Sequence, residues 1–245
     1  MEGTKTEPKC DSDFITAERQ RLLREYERRE TAIGADRYAP WQPAEILLRD
    51  ERKRLAAAML QRVHAFPQAG DQCLEIGYGA LGWLGELISW GVKEVDLHGI
   101  ELNARRAQQA QERLPRADLR IGDAAALPWE DETFHLVIVS TVFSSILDAQ
   151  VRHIIAREIT RVVRPGGALL WYDLAVNNPR NHHVRGIKKD ELRRLFPRFR
   201  GEIKRVSLAA PLARLIAPRS WTLATALGAI PLLRTHLLAV LIKPR

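Results

Sequence analysis

The 245 residues, 46% of them apolar, suffice for the core of one α/β domain with an appended element. Two cysteines far apart, Cys10 and Cys73, argue against a disulfide framework and fit a reducing, cytoplasmic setting. No run reaches the roughly 20 apolar residues of a membrane span, and the first residues hold no apolar signal region.

The net charge of +8 is unevenly placed. From Arg180 onward fifteen Lys and Arg stand against three acids, Asp190, Glu191 and Glu202. Such asymmetry fits an end that meets something anionic, and equally a solvated basic surface.

Residues 1–11 read as a disordered tail. A charged helix is expected from Ser12 or Asp13 to Glu30, with a thin apolar stripe of Ile15, Leu22 and Tyr26. An irregular aromatic-proline connection around Trp41 follows. A second helix opens at Pro43 or Ala44, with Leu48, Leu55, Met59 and Val63 as its core face. Together 12–69 form an N-terminal helical cap.

Short apolar runs then alternate with amphipathic segments. Strands are expected at 72–77, 94–100, 118–121, 134–140 and 167–174, and helices at 81–90, 103–114, 146–163 and 188–196. Two further strands, 202–208 and 235–242, bracket an apolar, basic, proline-punctuated insertion at 209–233. That order predicts a Rossmann-like, doubly wound α/β domain over 70–245.

The first strand runs into Glu75-Ile-Gly77-Tyr-Gly79-Ala-Leu-Gly82. A strand, a glycine turn and a helix let backbone approach a nucleotide-like ligand. The spacing also fits a dinucleotide fingerprint, so nicotinamide or flavin dinucleotides and S-adenosylmethionine both stay open here. Glu101 ends the second strand, where a carboxylate can accept both ribose hydroxyls. Asp123 follows the third strand, where it can accept from an adenine amino group beside small Ala124. The fourth strand ends at Ser140, and Arg161-Val-Val-Arg-Pro-Gly-Gly167 leads into the fifth.

Taken together these motifs resemble a class I S-adenosylmethionine-dependent methyltransferase over about residues 70–175, of the type 11-like kind found in glycan and natural-product pathways. The resemblance implies a mostly parallel seven-stranded sheet with an antiparallel last strand, and S-adenosylmethionine as cofactor. It implies cofactor contacts from Glu75, Gly77, Tyr78, Gly79, Glu101, Leu102, Asp123, Ala124 and Ser140. Glu75 would hold the turn or receive the methionine ammonium through water. Two departures stand out: Leu81 where the family carries glycine, with Gly82 one place later, and His135 where it carries Asp.

After the fourth strand the chain reads Ser140-Thr-Val-Phe-Ser, which argues against methylation of a base or amide nitrogen. Val142 and Phe143 are expected to line the pocket. The polar cluster after the fifth strand brings Asp173, Asn177, Asn178, His182 and His183 to the carboxyl edge of the sheet, where open α/β folds do chemistry. Asp173 or His182 is the candidate general base. Trp41, Phe143, Asn177 and Asn178 are candidate substrate contacts. The softer part of the resemblance implies O-methylation of a small hydroxylated or sugar-type acceptor, carried on a phosphate or lipid, with peripheral membrane contact through the basic C-terminal third. RNA binding or methylation, and a non-catalytic cofactor-binding partner subunit, are the alternatives. No metal-ligand spacing is present.

Overall fold

A computed structural model describes residues 10–32, 38–178 and 181–245. Most of the expected tail, residues 1–9, lies outside it. Helix α1 (Cys10–Ala32) precedes α2 (Pro43–Arg62), and the core chain runs β1 (Cys73–Ile76), α3 (Leu84–Ser89), β2 (Leu97–Glu101), α4 (Ala104–Arg113), β3 (Asp118–Ile121), β4 (Phe134–Ser140), α5 (Ala149–Val162) and β5 (Val163–Leu174). Helix α6 (Lys189–Leu195), β6 (Arg200–Leu208), α7 (Ala210–Ile216), α8 (Trp221–Gly228) and β7 (Arg234–Ile242) complete it.

The seven strands lie in the order β3-β2-β1-β4-β5-β7-β6. Strands β1 to β5 pair in parallel, and β7 runs antiparallel to both β5 and β6. All four residues of β1 are buried, as a central strand covered on both faces requires. One face packs Ile76, Val137, Val139, Leu169 and Trp171 with α5 and α6. The other packs Cys73, Leu136, Ile138, Leu170 and Tyr172 with α2, α3 and α4.

Three described helices are capped by a side chain, α8 by Ser220, whose hydroxyl accepts from Leu223 N–H at 3.2 Å. Asp148 accepts from the backbone N–H of Gln150 and Val151 at the head of α5, and Asn103 accepts from Arg106 N–H at the head of α4.

The core face of α2 is largely the expected one. Met59 is buried and Leu48 and Leu55 pack against the core from partly buried positions, while Val63 is exposed and lies past the last turn. Ala44, Ala56 and Leu60 are buried beside them. The insertion at 209–233 folds into α7, α8 and a short turn, packed on Ala44, Leu47 and Leu48 of α2.

Candidate active site

The carboxyl ends of β1, β2 and β4 converge on a cleft of about 190 Å³. Its floor is Ile76, Gly77, Glu101, Leu102, Asp123, Ala124, Ser140 and Val142. Six of the nine expected cofactor residues therefore meet in one place. The wall over it comes from α1, through Ile15, Leu22, Tyr26 and Arg29. The thin apolar stripe read in the sequence is thus the roof of a cleft.

The turn after β1 is built by carboxylates. Glu101 accepts Gly79 N–H at 2.9 Å through one oxygen and Asn103 N–H at 2.9 Å through the other. A carboxylate offers about four lone-pair sites, so both oxygens keep capacity for ribose hydroxyls. Asp123 accepts Ala125 N–H at 2.9 Å, which fixes its side chain at the cleft edge. Gly77 adopts φ +70°, and a Cβ there would stand 2.7 Å from Val142 Cγ2. Only glycine lets the backbone pass that side chain.

Glu75 does not reach the cleft. It is buried beneath the turn, where one oxygen accepts Trp83 N–H at 2.6 Å and Leu84 N–H at 3.1 Å. Burial pushes its carboxyl up to about 8, opposed by those N–H groups. Of its two expected roles, the geometry supports holding the turn. Gly82, at φ +52°, explains the shifted glycine: a Cβ there would fall on the Glu75 carboxylate. Tyr78 is corrected as a side-chain contact. Its ring is buried over Gly99 on the opposite face, and its hydroxyl donates to Arg120 O at 3.4 Å.

The acceptor-side expectations divide. Asp173 is fully buried and accepts Ser144 N–H at 3.0 Å and Leu174 N–H at 2.8 Å. Burial raises its carboxyl to about 6. It pins the loop after β4 and is corrected as a candidate base. Phe143 is corrected too: it packs against Trp171 with ring centroids 4.6 Å apart, inside the core, and its neighbour Val142 lines the cleft. Asn177 accepts Gly186 N–H at 2.9 Å and closes its own loop. Asn178, Trp41 and His182 are exposed. His183, beside His182, stands 3.6 Å from Glu25 of α1, so this loop borders the helix that roofs the cleft. His135 pairs with Asp71 at 2.8 Å at the opposite end of β4, away from the cleft.

Sequence reasoning missed a second cluster. The Arg52 guanidinium of α2 lies between the Trp83 and Tyr172 rings, 4.9 and 4.8 Å from their centroids. Its Nε and Trp83 Nε1 are buried donors with no acceptor among the described residues. The Tyr172 hydroxyl donates to Ser207 Oγ at 3.0 Å, and its ring stacks on His236 at 4.8 Å. Burial, then Arg52, lowers His236 to about 4, so the ring is neutral near pH 7. Arg52 stands four residues after Leu48 and three before Leu55, so helical spacing already puts it on the stripe expected to face the core.

Comparisons with known proteins follow this geometry. Residues 73–167 match the model of a methyltransferase domain family. A demethylmenaquinone methyltransferase of Halalkalibacterium halodurans is 25% identical over 156 residues, 62% of this chain and 56% of that one. A phthiotriol/phenolphthiotriol dimycocerosates methyltransferase of Mycobacterium ulcerans is 35% identical over 112 residues, 45% of this chain and 40% of that one. The chain spans about half the length of the curated relatives it matches. In fold, it resembles geranyl diphosphate C-methyltransferase from Streptomyces coelicolor A3(2), with a TM-score of 0.61 at 14% identity over 87% of each chain; that structure holds Mg2+, geranyl diphosphate and S-adenosyl-L-homocysteine.

Proposed function

We propose, from the premise that this chain carries a class I S-adenosylmethionine-dependent methyltransferase domain, that it transfers a methyl group from S-adenosylmethionine to a small acceptor. The carrying observation is the meeting of Gly77, Glu101, Asp123, Ala124 and Ser140 in one cleft at the carboxyl edge of the sheet.

The residues fit the cofactor. Glu101 has lone pairs left for the ribose, Asp123 faces the adenine end, and backbone at Gly77 and Gly79 meets the amino-acid end. Arg52, whose buried Nε has no acceptor among the described residues, is our candidate to receive the donor's carboxylate. When bound, the cofactor supplies an electrophilic methyl on a sulfonium. The chain's part is then to hold donor and acceptor in line and to exclude water, which α1 does from above.

For the acceptor we keep a hydroxylated small molecule carried on a lipid or phosphate, methylated on oxygen. Relatives that act on phthiotriol dimycocerosates and on geranyl diphosphate, and the basic C-terminal third, support the lipid or phosphate carrier; the oxygen rests on the sequence resemblance, since the geranyl diphosphate enzyme is a C-methyltransferase. His182, on the loop that borders α1, is the candidate to take the hydroxyl proton.

Calorimetry with S-adenosyl-L-homocysteine tests the cofactor reading. Saturable binding that NAD(H) does not compete is expected; no binding overturns it. Transfer of labelled methyl to lipid-linked glycosides and polyols tests the acceptor class. His182→Ala with unchanged turnover would remove that residue from the mechanism.

A further inference from the structure

Helices α7 and α8 are apolar on both faces. Inward, Ala213, Ala217 and Ala224 are buried with Leu208 and Ala44, and Leu212, Ile216, Leu227 and Leu233 pack against them. The outward face is apolar as well. Leu215 is 58% exposed and Leu232 85%, and Trp221, Leu223 and Ile230 are exposed too. A helix pair that only covered the core would carry polar residues on that outer face. Five large apolar side chains on the surface within eighteen residues mark a contact face rather than scattered exposure.

The charge around this face names its partner. The cations carried by this segment are Arg214, which pairs with Glu45 at 3.2 Å, Arg219, and Arg234, which donates to Gly228 O at the end of α8. Arg219 is exposed between the two helices, where its Nη1 caps Leu215 O at 2.7 Å. A protruding Leu and Trp, with Lys53, Arg54 and Arg234 outnumbering Asp50 and Glu51 in the groove beside Trp221, match the interface of an anionic bilayer. No helix among the described residues is long and apolar enough to cross a membrane, so the contact is one of lying on the surface.

We propose that α7, α8 and the turn into β7 dock this protein on an anionic lipid surface, with Leu215, Trp221, Leu223, Ile230 and Leu232 entering the headgroup layer. Apolar burial supplies the hold, and Arg219 with its basic neighbours selects anionic lipid. The docking face stands apart from the residues that line the cleft, so it holds whatever chemistry the cleft performs.

The test is flotation of the full chain with vesicles of phosphatidylcholine alone or mixed with phosphatidylglycerol, for the native protein and the Leu223→Ser/Leu232→Ser variant. The native chain should float with the mixed vesicles, less so as salt rises. The variant should partition about tenfold more weakly. Both replaced residues are exposed, so melting temperature and S-adenosyl-L-homocysteine binding should be unchanged, which separates lost docking from lost folding. Equal flotation of native and variant protein, or none above neutral vesicles, overturns the proposal. So does sedimentation equilibrium showing a native dimer that the variant dissolves, since a second copy would then cover the face.

Discussion

At single residues, the site is organised by where carboxylates are placed relative to backbone N–H groups. Glu75 and Glu101 share a turn, yet one is sealed below it and the other opens into the cleft. Gly82 sits over the first. Gly82→Ala brings a Cβ onto the Glu75 carboxylate and puts a side chain at φ +52°. It should cost about 2 kcal/mol or more, read as a lowered denaturation midpoint. Arg52 is the other decisive residue. If it receives the donor's carboxylate, Arg52→Met should weaken S-adenosyl-L-homocysteine binding about tenfold or more. It should leave 5′-methylthioadenosine, which lacks the amino-acid end, unaffected. Equal losses for both ligands in calorimetry would assign Arg52 to packing alone.

Among the elements, α1 matters out of proportion to its thin apolar stripe. It covers the cleft through Leu22 and Tyr26, and Arg106 stacks on the Tyr26 ring at 4.9 Å. Its anchor is polar. Glu18 accepts Leu147 N–H at 2.6 Å, and Arg21 donates both to Glu18 and to Ser145 O. Arg21 holds the Glu18 carboxyl below its usual range against the opposing pull of burial. A helix held by a few such contacts opens more readily than the sheet it covers. Glu18→Ala should speed amide exchange over residues 13–29 and weaken cofactor binding. The global melting temperature should move by a degree or two at most, since among the described residues α1 gives the core only the partly buried Ile15 and Leu22.

For the molecule as a whole, stability carries a pH signature from groups buried without charge. His236 is held near 4 against an ordinary value of 6.5. Below pH 6.5 the unfolded chain takes up a proton that the folded chain refuses until about pH 4. Its contribution is therefore complete above pH 6.5 and is lost as the pH falls toward 4. His236→Phe keeps a ring against Tyr172 and removes the titration. Its urea midpoint should fall less than the native one between pH 7 and pH 5; equal falls would count against this account.

The sequence by itself determined the alternation of strands and helices, the glycine turn, and the acids at the ends of β2 and β3. These depend on local periodicity and on which residue type tolerates a turn, so β3 and β4 begin and end where the pattern says. Glu101, Asp123 and Ser140 were legible because each stands at a strand end, and strand ends share one edge in a parallel sheet. Only the tertiary structure decided which side chains turn inward. Asp173 and Phe143 left the site for the core, and Arg52 proved to lie between two rings. The thin stripe of α1 became a roof. Burial depends on what packs against a residue from elsewhere in the chain, which local spacing and residue type do not contain.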